Sequence, residues 1–272
     1  MKFAIVDHKK VEATKGAKGI CPSCGSDVIA RCGEIKVHHW AHKGIRNCDS
    51  WWENETEWHR SWKQYFPDEW QEVVHTAKDG EKHIADVKTD SGWVLEFQHS
   101  FLNPEERRSR DIFYPQLVWV VDGMRRKRDI IKFKEAIILA TRINPSLFIY
   151  KVDFPVEYKI IDEWFTSPNL VFFDFQAKED DSDTFESVVF GKYLWFLIPD
   201  KSESFAYLSY VPRERFIQMH KEGTFEEVFY KQIDQFREHL AKTFNHSRRV
   251  QVRTKPRSFL SNRELRRRNR RF

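Results

Sequence analysis

The stretch His83–Ser100, HIADVKTDSGWVLEFQHS, restricts the possible folds more than any other part of this chain. Two extended runs rich in Val, Ile, Leu and Phe flank Asp90-Ser91-Gly92, where Gly supplies the positive φ of a tight turn. The stretch therefore predicts a β-hairpin. Side chains alternate across a strand, so Asp86 and Lys88 fall on one face, with Ala85 and Val87 on the other. On the return strand Glu96 and Gln98 share a face opposite Leu95 and Phe97. The turn can bring Asp86 and Glu96 together, and two carboxylates on rigid strands make a hard-oxygen site suited to Mg²⁺ or Mn²⁺. A solvated sheet face would account for one isolated pair equally well. The neighbouring chain decides between the two.

Asp49 to Phe66 contains neither Gly nor Pro and predicts a helix. Glu55, His59 and Lys63 are four apart and share one of its faces, while Trp51, Trp58, Trp62 and Phe66 cover another. Glu69 to Val74 predicts a strand. Pro104 opens a second helix with Glu105 and Glu106 in its first turn, where the helix dipole favours acids. Arg107, Arg108 and Arg110 follow, and Tyr114 precedes Pro115. Leu117-Val118-Trp119-Val120-Val121 is an unbroken apolar run, the pattern of a strand buried on both faces. Helix, strand, hairpin, helix and strand in that order predict an α/β core around a mixed sheet.

All four cysteines, Cys21, Cys24, Cys32 and Cys48, lie in the first fifth of the chain. Short strands are expected at residues 2–6 and 10–13, and Gly16 to Gly19 is expected to turn into the knuckle Cys21-Pro22-Ser23-Cys24-Gly25. A second hairpin, residues 27–32 and 34–39 about Gly33, leads to His38-His39-Trp40-Ala41-His42. A Cys-x₂-Cys followed across a hairpin by His39 and His42 predicts a tetrahedral, structural zinc site. Cys48 is an alternative to His39, and Cys32 is also within reach. So short a segment cannot build much of a core, and a metal would supply the missing stability.

The chain has 272 residues, enough to bury a sizeable core, and an unusual aromatic load of ten Trp and 23 Phe. No apolar run is long enough for a membrane span, and residues 1–6 are interrupted too soon for a signal peptide, so a cytoplasmic protein with no membrane partner is expected. Residues 248–272 carry eleven Arg or Lys and one Glu, against a net charge of +5 for the whole chain. A basic tail on a mildly acidic body favours a polyanion such as nucleic acid. The absence of a Gly-rich phosphate loop argues against a nucleotide cofactor. In the second half, a helix is expected over 129–143 and strands over 147–152, 164–175, 193–198 and 207–211. A short helix is expected from Pro212 and a long amphipathic helix from Thr224. The acids of residues 178–183 read as a solvated loop.

Taken in order, Cys21-Pro-x-Cys24-Gly, His39-Trp-Ala-His42-Lys, Glu55-Thr-x-x-His59-x-x-x-Lys63, Ala85-Asp86-Val87, Glu96-Phe-Gln98-x-Ser100, Arg110-x₃-Tyr114 and Val118-Trp-Val resemble the competence protein CoiA-like family. The central part of that family resembles a PD-(D/E)XK nuclease. The resemblance covers roughly the first half of the chain. It implies a restriction-endonuclease-like mixed sheet flanked by helices, after a small zinc-binding β module and before an α+β C-terminal region. The corresponding segments are a zinc-ribbon-like module over 1–49, a nuclease-like core over 50–128, an α+β region over 129–246 and a basic tail over 247–272.

The resemblance also implies a Mg²⁺ or Mn²⁺ site on Asp86 and Glu96, with Gln98 and Glu55 completing the catalytic set. Gln98 stands where the wider superfamily carries Lys, and Gln is usual for this branch. His59, Lys63, Lys88, Arg107, Arg110 and Tyr114 are the candidates for contact with nucleic acid. The expected function is metal-dependent hydrolysis of DNA. The alternative is a non-catalytic DNA-binding accessory protein, since Gln98 cannot act as an ordinary proton acceptor.

Overall fold

A computed structural model of the chain describes residues 1–44, 51, 55–77, 80–144, 146, 148–176, 190–199 and 204–253. Cys48, the 178–183 loop and residues 254–272 of the basic tail lie outside the described residues.

The N-terminal module is a five-stranded antiparallel sheet. Its strands are β1 (Phe3–Val6), β2 (Lys9–Glu12), β3 (Lys18–Ile20), β4 (Asp27–Arg31) and β5 (His39–His42), in the spatial order β2-β1-β3-β4-β5. Its core is small: Met1, Ala4, Ala13, Cys21, Val28 and Trp40. The indole of Trp40 is 2 % exposed and donates to the Val11 carbonyl at 3.0 Å, closing β5 against β2.

Two expectations are corrected here. Lys18–Ile20 is a strand rather than part of a turn. The second hairpin returns at His39–His42, paired with Val28–Arg31, and not at residues 34–39. Glu34 and Lys36 are charged and exposed, so the segment gains more from hydration than from ladder bonds.

The second sheet has nine strands among the described residues. They are β6 (Gln71–Thr76), β7 (Lys82–Lys88), β8 (Val94–Gln98), β9 (Leu117–Asp122), β10 (Thr141–Asn144), β11 (Ile149–Asp153), β12 (Leu170–Asp174), β13 (Tyr193–Ile198) and β14 (Phe205–Pro212), ordered β10-β11-β14-β13-β12-β9-β8-β7-β6. The pairs β8–β9 and β9–β12 are parallel and the others antiparallel, so the mixed α/β sheet is present. β8, β9 and β12 are buried at every position, as expected for strands covered on both faces. β7 alternates, with Ala85 and Val87 inward. The 83–100 hairpin forms on β7 and β8, with Gly92 at φ 90°.

Helices among the described residues include α1 (Glu57–Gln64), α2 (Pro104–Phe113), α3 (Lys127–Leu139), α4 (Lys159–Asp162) and α5 (Arg213–Glu222). α1 starts at Glu57 because the Thr56 side chain accepts from the His59 amide and caps it. Glu55 therefore precedes the helix instead of riding on it. α3 ends at Leu139, and Thr141–Asn144 becomes an edge strand where a longer helix was expected. The strand expected over 164–175 is confined to Leu170–Asp174, preceded by α4. Strands β10 to β14 thus extend the core sheet.

The chain divides after Thr224 into two units, and the described part of the second is α6 (Phe225–Arg253). On α6, Phe225 and Phe229 stack with ring centroids 5.0 Å apart, one turn apart on the apolar stripe. No helix among the described residues is long and apolar enough to cross a membrane.

Candidate functional site

α1 is fixed by its tryptophans. The indole nitrogens of Trp58 and Trp62, four residues apart, both donate to one oxygen of Asp174 at the end of β12, at 3.0 and 2.9 Å. Trp62 also stacks on Phe97 of β8. With that face held against the sheet, His59 and Lys63 on the adjoining face point at Asp86 of β7.

The ladder between β7 and β8 is recorded only at Val87–Leu95 and Lys88–Val94, and one residue further on it gives way. There the amide of Phe97 donates 3.0 Å to Asp86 Oδ2. A carboxylate thus replaces a strand carbonyl as acceptor. β6 also departs from a regular strand at the same level. Glu72 lies between the pairs Gln71–Val87 and Val73–Ala85 with φ +47°, a left-handed conformation rare for a side-chain-bearing residue. Such a residue costs about 1–3 kcal/mol and persists where its surroundings over-determine it. Here the Glu72 carboxylate accepts the amides of Lys2 (2.6 Å) and Phe3 (3.0 Å).

Three carboxylates converge on the ammonium of Lys63: Glu55 at 2.9 Å, Glu72 at 3.1 Å and Asp86 at 3.4 Å. Lys63 is 3 % exposed. Burial alone would depress its pKa, but the charges of Glu72, Asp86 and Glu55 outweigh burial and raise it. Burial alone would likewise raise the carboxylates. Lys63 reverses this for all three, holding Glu72 down to about 2 with help from the Lys2 and Phe3 amides. Asp86 falls well below the usual carboxylate range through Lys63, His59 and the Phe97 amide. Glu55 is lowered by Lys63 and Arg60. His59 Nε2 stands 3.6 Å from Asp86.

The fourth carboxylate, Glu96, is 5 % exposed and is held at 3.2 Å by Arg110 of α2. Arg110 is also tied to Glu106 and to the Trp51 carbonyl, at 2.6 Å. Glu55, His59, Lys63, Asp86, Glu96, Gln98, Arg110 and Tyr114 all line one cavity of about 60 Å³. That is room for an ion and a few waters.

Two of the expected nucleic-acid contacts are placed elsewhere. Arg107 is buried, with its guanidinium on the Glu163 carbonyl and, at 3.1 Å, on the Thr166 hydroxyl, where it ties α2 to α4. Lys88 faces His75 at 3.2 Å. Within the cavity, Lys63 and Arg110 are committed to internal ion pairs. Gln98 is 1 % exposed, and its amide donates to the Ser100 carbonyl at 3.2 Å. Glu72 was missed by sequence reasoning, because a positive φ at a glutamate inside a strand leaves no mark in residue type or spacing.

The N-terminal module brings Cys21, Cys24 and His42 together, with their ligand atoms within 4.8 Å of one another. Cys24 Sγ lies 3.3 Å from His42 Nε2. Burial alone would raise the Cys24 thiol, but hydrogen bonds from Ser26 and from His42 lower its pKa to about 6, which favours the thiolate that binds metal. Two thiols and an imidazole suit zinc or a similar soft ion.

His39 is not in this group. β5 carries both histidines, and residues three apart on a strand project from opposite faces, so His39 turns to the Val37 carbonyl at 2.9 Å. Cys32 is not in the group either, and its thiol points to the Ala13 carbonyl. If this group holds zinc, Cys24→Ser should abolish zinc binding and the gain in melting temperature that added zinc gives, as read by metal analysis and thermal unfolding. His39→Ala should keep its zinc.

No curated protein and no solved structure matches this chain. One family model does, over residues 4–50, a span that includes Cys21, Cys24 and His42 and ends before the carboxylate cavity. That model is the competence protein CoiA N-terminal domain, and over this N-terminal span the chain is similar to it.

Proposed function

We propose that the chain is a metal-dependent nuclease that hydrolyses phosphodiester bonds in DNA, with a structural zinc module at its N-terminus. One observation carries this reading. Eight residues from separate parts of the sequence converge on a cavity of about 60 Å³, and three of them, Glu55, Asp86 and Glu96, form with Glu72 a set of four carboxylates. The donor set is hard oxygen, which fits Mg²⁺ or Mn²⁺, and Asp86 and Glu96 would hold the ion. When bound, the ion would lower the pKa of a coordinated water and polarise a phosphate oxygen.

The chain's own residues do the rest. The Phe97 amide and Lys63 keep Asp86 ionised and fixed in direction. Arg110 fixes the direction of Glu96 through its ion pair. Lys63 offers the positive charge that the Lys of the wider superfamily would supply, while His59 beside Asp86 can donate to or accept from a water in the cavity. Gln98 orients and carries no charge.

The test is incubation of the protein with single- and double-stranded DNA in Mg²⁺, Mn²⁺ or EDTA. Cleavage that needs the metal and vanishes in Asp86→Asn is expected. Cleavage that survives EDTA would overturn the reading. Binding without cleavage in every metal would replace it with the accessory role, which Gln98 favours because an amide takes up no proton.

A further inference from the structure

We infer that His99 and Trp58 form a nucleotide subsite beside the carboxylate cavity, with His99, as an imidazolium bridging Asp122 and the ligand, donating to a phosphate oxygen and Trp58 stacking on a base. The inference rests on the nuclease reading and assigns the path of the bound strand. A cavity of about 60 Å³ holds an ion and waters but no nucleoside, so the nucleotides flanking the cut must be gripped outside it.

β8 ends at Gln98, and alternation turns His99 away from the cavity to the face that carries Phe97. Its Nδ1 lies 2.7 Å from Asp122 Oδ2 at the end of β9. Asp122 is 2 % exposed, and its other oxygen accepts the Met124 amide (2.8 Å) and the Gln176 side chain (3.1 Å). Those bonds engage the carboxylate on both sides and fix the ring with Nδ1–H on Asp122, so Nε2 donates outward in the imidazolium, where both nitrogens carry a proton. His99 Nε2 makes no hydrogen bond among the described residues, and the side chain is 38 % exposed.

The support is rigid. Gln176 sits at φ +49°, a costly conformation. At Gly123 a Cβ would meet the Phe175 ring at 2.5 Å, so the turn after β9 admits only glycine. The dyad thus stands at the carboxyl ends of the parallel strands β8, β9 and β12, the edge where α/β sheets bind ligands.

The half-buried Trp58 ring lies 6.3 Å from the His99 ring, tilted by 39°, with its nitrogen pinned on Asp174. A fixed donor beside an indole is the pairing by which proteins hold a single nucleotide, the phosphate by hydrogen bond and the base by stacking. Both elements that carry this pair also reach Asp86: α1 through His59, next to Trp58, and β8 through the Phe97 amide. His99 lies two residues beyond Phe97, about 7 Å along the strand. A chain with one phosphate at Asp86 would therefore run on to His99.

Binding of a labelled single-stranded oligonucleotide in EDTA, where nothing is cut, tests this on the full-length protein. His99→Ala should weaken the dissociation constant about tenfold, the usual effect of removing one nucleotide contact. His99→Gln, which keeps a donor, should recover part of the loss and should melt closer to the wild-type temperature than His99→Ala, which leaves Asp122 Oδ2 without that partner. Photocrosslinking with an iodouracil-bearing oligonucleotide should attach Trp58, as mapped by mass spectrometry. If His99→Ala binds like wild type and the crosslink maps elsewhere, the subsite is wrong while metal-dependent cleavage still stands. If wild type neither binds nor cleaves, the nuclease reading falls and this inference with it.

Discussion

Lys63→Met is expected to destabilise the protein by about 3–5 kcal/mol, the range for removing one partner of a buried ion pair. Three carboxylates face that ammonium, and methionine fills its volume without its charge. Glu55, Glu72 and Asp86 would be left buried and mutually repulsive. Urea unfolding at two pH values separates charge from packing. As the pH drops toward 4 the carboxylates of the variant take up protons and the repulsion fades, so its deficit should narrow. An equal deficit at pH 7 and pH 4 would mean that packing, not charge, is responsible.

The wild-type protein should show the complementary acid dependence. The folded pKa of Glu72 is about 2, against 4.5 for the ordinary group, and that of Asp86 is depressed from 3.8. A depressed carboxylate contributes stability above its unfolded pKa and loses that contribution as the pH falls through its folded pKa. Stability should therefore decline from about pH 4.5 downward, with the Glu72 share gone near pH 2. Glu72→Gln should be less stable at pH 7 and should decline less steeply over that window in thermal melts.

Asp86→Asn is expected to cut metal-dependent cleavage of DNA by at least about a hundredfold, the scale on which removal of one preorganised catalytic group is felt. The substitution is nearly isosteric, and its side-chain oxygen can still accept the Phe97 amide, so the strand junction should survive. What is lost is the charge that Lys63 and a divalent ion both require. Glu96→Gln should follow it for the second ligand, with Arg110 then left over a neutral amide. Wild-type rates in both variants would remove these residues from the chemistry.

The hairpin, the central strand and the second helix were legible because each rests on a local rule: a Gly turn, an apolar run, a proline at a helix start. Tyr193–Ile198 likewise fell where its apolar run placed it. Errors arose where tertiary partners overrode local preference. Thr56 has a capping side chain, so α1 begins there and the Trp-rich run before it does not set the boundary. Thr141–Asn144 left the helix because an edge of the sheet was open beside it.

At the site, alternation and i,i+4 spacing correctly brought His59, Lys63, Asp86 and Glu96 to one cavity. Formal charge did not say whether a cation would meet solvent or a carboxylate. Arg107 and Arg110, read as phosphate contacts, are spent on internal acceptors. His39 illustrates the same limit, since three-residue spacing serves a helix and fails on a strand.

The Glu72 carboxylate has a further consequence, for the divisibility of the chain. Composition suggests a cut between the cysteine-rich segment and the rest near residue 49. Yet the two amides that satisfy Glu72 belong to Lys2 and Phe3, Trp40 donates to the Met1 carbonyl, and Met1 itself lines the carboxylate cavity. A fragment without these first residues would bury Glu72 with Lys63 as its remaining donor, at a position where the backbone is already strained. The cysteine-bearing sheet and the carboxylate sheet are successive in sequence but share these contacts, so exchanging one alone should cost the other its stability.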